Sequence, residues 1–187
     1  MKPAGLSSKE SFSKDPAQAL EQLMEAFGTV VLRTAYFYTK DRHLAEDISQ
    51  EVFLRAYRNW TSFRGDSAVK TWLTTIGVNV CRDKMGVRMY DEKPTDPVKL
   101  EHGPSFNVED EALRRLEKSE VLQHVLRLPI AFQEALYLYY YLELSTREIA
   151  EATASPEGTV RNRLHRAREA LARAMNEEET KHDGYGS

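Results

Sequence analysis

Apolar residues recur along the first half of the chain at helical spacing, without the strict alternation that marks β-strands. Asp15 and Pro16 are typical of a helix start, as capping residue and first helical residue. Asp41 can cap a second helix over about residues 42–58. A third apolar seam begins at Ala68 and ends near residues 85–86. The pattern predicts helices throughout this half.

A break in the pattern follows. Residues 90–107 carry three prolines, a glycine and many charges without an apolar period, which is typical of a linker. Beyond it, Asn107 can cap a long helix, Pro129 interrupts the pattern, and further helices follow. We therefore predict an all-α protein of two small helical domains. Its parts are a disordered tail at 1–15, a domain at 16–89, an acidic flexible linker at 90–107, a domain at 108–176 and an acidic tail at 177–187.

The second domain ends in a pattern that predicts a helix-turn-helix. Ser145 and Glu148 have the spacing of a capping box before a short helix. The polar residues "TAS" follow, and Ser155 and Pro156 are suited to cap and open a longer basic helix. A short helix, a tight turn and a basic helix are the parts of this DNA-binding motif.

The faces of the basic helix follow from an advance of about 100° per residue. Four apolar positions share one side and are expected to face the core: Val160, Leu164, Ala167 and Leu171. Four polar positions point away from it, in the first turns: Arg161, Asn162, His165 and Arg166. Such side chains can bind base edges in the major groove, whereas Arg163 and Arg168 beside the seam are better placed for phosphates. A solvated helix face is the alternative.

Charge is segregated along the chain although the formal net charge is only −3. Residues 157–173 contain five arginines and two glutamates, and residues 58–88 contain six basic and two acidic residues. Residues 89–112 hold seven acids against two lysines, and the tail from 177 is acidic as well. Two basic segments separated by an acidic one favour a polyanionic partner.

Several classes of function are disfavoured. No apolar run approaches the roughly 20 residues of a membrane span and no signal peptide is recognisable, so we expect a cytoplasmic protein without membrane insertion. Cys81 is the single cysteine, and the five histidines lack metal-ligand spacing, so neither a metal nor another cofactor is indicated. Catalytic motifs and a glycine-rich phosphate loop are also absent, which argues against an enzyme.

The helix at 42–58 carries a second stripe beside its core positions. The stripe has the spacing i, i+3, i+4, i+7 and consists of Asp47, Gln50, Glu51 and Leu54. An acidic stripe with an exposed leucine suits a helical protein partner, and a solvated acidic face is the alternative.

The third helix and the loop before it combine aromatic, polar and basic residues. Trp72, Asn79 and Arg82 lie beside the apolar seam. The preceding loop contains Phe63, Arg64, Gly65, Asp66 and Ser67. Stacking rings and edge hydrogen bonds are what binding of single-stranded DNA requires. Trp72 and Phe63 are equally suited to fill the core or anchor the loop.

These stretches resemble a known family. "AEDISQEVFLRAY", "FRGDSAVKTWL" and "IGVNVCRD" are similar to region 2 of the extracytoplasmic-function (ECF) sigma factors of bacteria, and "LPIAFQEALYLYYYLELSTREIAEATASPEGTVRNRLHRAREAL" is similar to their region 4. The resemblance covers roughly residues 17–175 and implies a subunit that binds core RNA polymerase and promoter DNA, often controlled by an anti-sigma factor.

The same resemblance implies roles for particular residues. The stripe on 42–58 would bind the coiled coil of the largest polymerase subunit. The loop at 63–67 and Asn79 would read the −10 element on the separated strand, and the basic helix would read the −35 element. Asn162 stands where many family members carry serine, which leaves the preferred −35 sequence open.

Two other classes of protein share parts of this pattern. A response regulator or sensor-type repressor can end in a similar helix-turn-helix, but its receiver or ligand domain is not recognisable in the first half, which lacks alternating strands and phosphoacceptor aspartates. An anti-sigma or adaptor protein could use the same helices for protein contacts alone. Such a protein would not need the outward face of Arg161, Asn162, His165 and Arg166.

Overall fold

Helices form the regular structure of the computed structural model, which describes residues 8–86 and 120–183. Within these ranges there are seven α-helices and no strand, so the all-α prediction is confirmed. They are α1 Pro16–Thr39, α2 Arg42–Asn59, α3 Val69–Met85, α4 Glu120–Leu126, α5 Ile130–Leu136, α6 Thr146–Thr153 and α7 Glu157–Asp183. A 3-10 turn at Lys9–Ser11 precedes α1, and α5 continues into a π-helical turn at Tyr137–Tyr141.

The chain divides into two compact units, and the first contains α1, α2 and α3, which pack against one another. Its core includes the fully buried side chains of Leu23, Ile48 and Leu73, one from each helix. The predicted caps are confirmed: the Asp15 carboxylate accepts a hydrogen bond from the Gln18 amide at 3.0 Å. The Asp41 carboxylate likewise accepts one from the Leu44 amide at 2.9 Å. Each satisfies an amide that the first helical turn leaves without a backbone partner.

The segment before α1 differs from the prediction of a disordered tail at 1–15. Residues 1–7 lie outside the described residues, but 8–15 are placed, and Phe12 is 6% exposed. Its ring lies 6.0 Å from that of Trp60, edge to face, and 6.2 Å from that of Phe27. Phe12 and Trp60 are far apart in the sequence, so their contact cannot be recognised from a local sequence pattern. This contact holds the segment before α1 in place.

The second unit contains α4, α5 and α7, with α4 and α5 both packed against α7. Its core includes the buried side chains of Leu138, Leu142 and Leu164. The buried Gln133 amide donates to the carbonyls of Leu126, at 3.1 Å, and Leu128, at 2.8 Å. These bonds satisfy carbonyls at the end of α4 and fix its connection to α5.

Three further predicted segments are the linker, the helix that follows it and the acidic tail. The linker at 90–107 and the predicted helix from Asn107 up to residue 119 lie outside the described residues. Where the sequence predicted an acidic tail from residue 177, α7 continues to Asp183. None of the helices in 8–86 and 120–183 has the length and apolar character of a membrane span.

Lys40 ends α1 in an unfavourable conformation. Its φ is 54°, in the left-handed region that strains residues with a Cβ atom. Its ammonium lies 4.5 Å from the centre of the Phe37 ring, and burial lowers the pKa of this ammonium from 10.5 to about 8. The strained φ and the burial of the charged ammonium both favour the unfolded chain.

Replacing Lys40 by glycine is expected to raise the free energy of unfolding of the first unit by about 1 kcal/mol at pH 7, because glycine adopts positive φ without strain. The measurement is urea unfolding followed by tryptophan fluorescence. Both tryptophans of the chain, Trp60 and Trp72, lie in this unit. A Lys40→Gly protein less stable than the wild type would contradict this account.

The Lys40→Met variant separates the charge from the strain. In the wild type, stability is expected to rise as the pH increases from about 8 to about 10.5, because the folded protein releases this proton before the unfolded chain does. Methionine keeps the strained backbone but carries no ammonium, so this part of the pH dependence should disappear.

Candidate nucleic-acid interface and partner surface

The helix-turn-helix begins with the predicted capping box. The Glu148 carboxylate accepts hydrogen bonds from the Ser145 amide at 2.9 Å and the Ser145 hydroxyl at 2.7 Å, and the Ser145 hydroxyl oxygen accepts one from the Glu148 amide at 3.3 Å. After α6, Ala154 adopts a φ of 48°, and the Ser155 amide donates to the Ala150 carbonyl at 3.0 Å. The turn therefore uses a left-handed alanine where glycine is more common.

The basic helix α7 has the two faces that its sequence predicts. Val160, Leu164 and Ala167 are at most 2% exposed, whereas Leu171 is half-buried. The polar positions Arg161, Asn162, His165 and Arg166 are all exposed. The structure thus brings these four side chains together on the outer surface of the first turns of α7.

Glu157, at the start of α7, is a feature that the sequence analysis did not single out. Its carboxylate accepts a hydrogen bond from the Thr146 hydroxyl at 2.7 Å and one from the Arg161 guanidinium at 2.7 Å. The bond from Thr146, followed by the bond from Arg161, lowers the pKa of this carboxyl below its ordinary value of 4.5. Glu157 therefore joins the start of α6 to the start of α7 and orients one predicted base-reading side chain.

The two arginines predicted for phosphates also have partners. The half-buried Arg163 donates to the Ser155 hydroxyl at 3.4 Å. The exposed Arg168 donates to the Tyr140 hydroxyl at 3.0 Å, and its guanidinium lies 5.3 Å from the centre of the Tyr139 ring. The π-helical turn presents these tyrosines, so Arg168 is held at the edge of the predicted DNA-binding face.

In the first unit, the predicted DNA-binding loop is built on an aromatic cluster. Phe63 is 8% exposed and stacks on Trp72 with ring centres 4.4 Å apart. Trp60, 1% exposed, lies 6.0 Å from Phe63 and 5.9 Å from Trp72. Phe63 thus anchors the loop, while the half-buried Trp72 still presents part of its surface.

A cleft of about 420 Å³ opens beside this cluster, within the range of about 300–1,000 Å³ typical of small-ligand sites. Its lining consists of Asn59, Ser62, Phe63, Arg64, Asp66, Trp72 and Ile76. Four of these were predicted site residues, and the structure brings them together. Asn59, Ser62 and Ile76 were missed, and only the spacing of Ile76, one turn after Trp72, could have indicated one of them.

The other predicted residues of this surface lie outside the cleft lining. The exposed Asn79 and the half-buried Arg82 follow farther along α3. Gly65 is exposed at the loop tip with a φ of 79°, which glycine adopts without strain, and Ser67 is half-buried. The predicted residues therefore form a path from the cleft along α3.

The stripe on α2 is present as a surface. Asp47, Gln50 and Leu54 are exposed, with Leu54 47% exposed. Glu51 is instead half-buried and accepts a hydrogen bond from Arg55 at 2.8 Å, which lowers the pKa of the Glu51 carboxyl. Tyr57, 43% exposed, was missed although it continues the stripe three residues after Leu54. Leu54 and Tyr57 thus add two exposed apolar side chains to one stripe of α2.

Comparisons with known proteins identify the family of this chain. Residues 23–87 match the family model of Sigma-70 region 2, and residues 118–171 match that of Sigma-70 region 4. The RNA polymerase sigma-H factor of Pseudomonas aeruginosa is 32% identical over 177 residues, covering 89% of this chain and 91% of that protein. The ECF RNA polymerase sigma factor SigW of Bacillus subtilis is 31% identical over 180 residues, with coverages of 87% and 91%.

A solved structure shares the fold. The sigma factor RpoE of Bartonella quintana, solved with the anti-sigma factor NepR, superposes with a TM-score of 0.58 at 21% identity, covering 83% of this chain and 96% of that one. The two family matches and these relatives define the class of the protein as a transcription initiation factor. The chain belongs to the ECF group of the sigma-70 family, and it directs promoter-specific transcription by RNA polymerase.

The contacts of Glu157 generate a prediction about its titration. Replacing Thr146 by valine removes the hydroxyl donor, so the pKa of the Glu157 carboxyl is expected to rise toward 4.5, and by more than in Arg161→Ala. Carbon-detected NMR titration of the side-chain carboxyl gives both values.

The linked effect on stability has a defined sign. Because the folded-state pKa is lowered, the stabilisation by Glu157 is present above pH 4.5 and is lost as the pH falls through the folded-state value. An unchanged Glu157 pKa in Thr146→Val would contradict the contacts described above.

Proposed function

We propose that α7 reads the −35 element in the major groove through Arg161, Asn162, His165 and Arg166. The support is their exposure on one face of the first turns, directly after the helix-turn-helix turn. Arginine can donate two hydrogen bonds to guanine, and asparagine can pair with adenine. Arg163 and Arg168, at the sides of this face, contact phosphates and fix the register of the helix.

The first unit captures the −10 element as single-stranded DNA. The cleft beside the Phe63–Trp72 stack accommodates an unstacked base, since it combines an aromatic wall with the polar groups of Asn59, Ser62, Arg64 and Asp66. The remaining loop residues, Gly65 and Ser67, and the α3 residues Asn79 and Arg82 continue this strand-binding path. Because the unit binds only the separated strand, binding shifts the promoter toward its melted state. No covalent bond is made or broken in this step.

The stripe on α2 binds core RNA polymerase. Asp47 and Gln50 supply polar contacts, and Leu54 with Tyr57 supplies apolar area to the coiled coil of the largest subunit. Glu51 contributes through its ion pair with Arg55, which also lies 3.4 Å from Asp83 on α3 and so ties this face to the strand-binding helix. A helical partner fits because the exposed positions form one stripe along α2.

The proposed domain boundaries are 16–89 for region 2, 90–107 for the acidic linker and 108–176 for region 4. The two family matches, at 23–87 and 118–171, fall inside these ranges. By analogy with the Bartonella quintana complex, we also assign this chain an anti-sigma factor as regulatory partner. Because it acts with RNA polymerase on promoters, we also propose that the protein works in the bacterial cytoplasm.

The exposed Arg-Asn-His-Arg face of α7 is the observation that carries this assignment. Run-off transcription from a fragmented genomic library tests it, using core polymerase with and without this protein. New start sites that share two spaced sequence elements are expected, and they identify the promoter. Binding to duplex DNA without any core-dependent start would instead favour the response-regulator or repressor class.

Replacing both Arg161 and Arg166 by alanine is expected to reduce transcription from a −35-dependent promoter by about 30-fold or more, because two base contacts are lost. Affinity for core polymerase should stay unchanged. Arg173→Ala is the matched control, since Arg173 is exposed on the same helix but two turns beyond the reading face. Loss of polymerase binding in the double variant would mean that this face has another role.

Replacing both Asp47 and Leu54 by alanine is expected to weaken binding to core polymerase by about tenfold or more, because exposed apolar and charged contacts at one interface are removed. The control is Met24→Ala with Glu25→Ala, which removes an exposed apolar residue and an exposed acid from α1 instead. Fluorescence anisotropy of labelled protein titrated with core enzyme measures both. Equal affinity of the Asp47/Leu54 variant and the wild type would refute the assignment.

A further inference from the structure

The segment before α1, residues 8–13, packs against the aromatic cluster that supports the proposed strand-binding loop. This segment lies ahead of residue 23, where the match to Sigma-70 region 2 begins, and the roles proposed above do not involve it. Phe12 and Ser13 contact α1 and Trp60, and Lys9 contacts the loop.

Two anchors fix the segment in place. Phe12 is buried between Phe27 and Trp60, and the Trp60 indole N–H donates to the Ser13 carbonyl at 2.9 Å. The Ser13 amide in turn donates to the Gln22 side chain at 2.8 Å. The segment is thereby bound both to α1 and to the tryptophan that follows α2.

Lys9 extends from this anchored segment to the loop. Its ammonium donates a hydrogen bond to the Phe63 carbonyl, and lies 5.5 Å from the ring centre of Trp60 and 5.8 Å from that of Phe63. The Lys9 Cβ lies 3.6 Å from where a Cβ of Gly65 would be, so the loop backbone passes directly over it. The ammonium thus holds the backbone carbonyl just before Arg64, and the start of the Lys9 side chain lies beside the backbone just after it.

We propose that Lys9 is a positioning residue for promoter melting: it fixes the loop at 63–67 so that the cleft is formed before DNA arrives. This inference rests on the proposed −10 role of the cleft. A loop that is already ordered loses less conformational freedom when it binds a strand, so the gain is in affinity for the separated −10 strand. Core binding through α2 does not involve Lys9.

The test uses holoenzyme made from the full chain and core polymerase. The probe is a fluorescent single-stranded oligonucleotide with the non-template −10 sequence of a promoter mapped by run-off transcription. Lys9→Ala is expected to weaken oligonucleotide binding by about tenfold, comparable to the cost of ordering the backbone of about one residue when the strand binds. Lys9→Arg, which keeps a cation and a donor, should recover most of it. Lys14→Ala, which removes an exposed lysine from the same stretch, should bind like the wild type.

Salt dependence separates positioning from direct contact with DNA. The slope of log K against log salt is negative, and for single strands each lost phosphate contact makes it shallower by about 0.7. Lys9→Ala should keep the wild-type slope because the lysine acts through the loop, whereas Arg64→Ala should make the slope shallower. A shallower slope in Lys9→Ala would mean that Lys9 binds phosphate and would overturn the proposal.

Two further results would also overturn it. Wild-type strand affinity in Lys9→Ala would show that the loop needs no support, and an equal loss of core affinity would show that the whole first unit is disturbed. The proposed −10 role is judged separately, by Arg64→Ala and Asn79→Ala. If both leave oligonucleotide binding unchanged, that role fails; if they weaken it and Lys9→Ala does not, only the inference about Lys9 fails.

Discussion

The buried indole of Trp60 is the contact on which the first unit depends for its proposed DNA-binding surface. It follows the last residue of α2, and it contacts Phe12 before α1, Phe63 in the loop and Trp72 on α3. Its N–H is satisfied by the Ser13 carbonyl, so the ring is buried without the cost of an unpaired donor. One side chain thus sets the relative position of three elements and of the cleft beside them.

The second unit presents several charged side chains close together near the start of one helix, α7. One side of α7 is buried through Val160, Leu164 and Ala167, and these contacts hold the helix in the unit. The exposed arginines on the other side therefore need no buried contacts of their own. Like charges at helical spacing repel one another, and the Glu157 carboxylate, which pairs with Arg161, lies among them. The helix therefore keeps a basic surface at a reduced electrostatic cost to its own folding.

Local chemistry made much of this structure predictable. The caps at Asp15, Asp41 and Ser145 act through residues three positions away, so their effects can be recognised in the sequence. The ordering of residues 8–15 was not predictable, since Phe12 finds its partner Trp60 only in the tertiary structure. The same holds for Asn59 and Ser62, which line the cleft because of how α2 and α3 pack. The site assignments themselves rest on chemistry and resemblance, and they stay predictions.

The partners of the basic helix also bear on how a sigma factor avoids the wrong DNA. If Arg161 and Arg168 contact DNA as proposed, each exchanges a bond to its internal partner, the Glu157 carboxylate or the Tyr140 hydroxyl, for a contact with the duplex. On random sequence, where only phosphates are available, that exchange offsets part of the gain from releasing counterions. At a matching promoter, base contacts are gained as well. The exchange costs the same at both kinds of site, so it lowers both affinities and leaves their ratio unchanged. Occupancy then falls most at the weak random sites, whereas a true site that is close to saturation stays occupied.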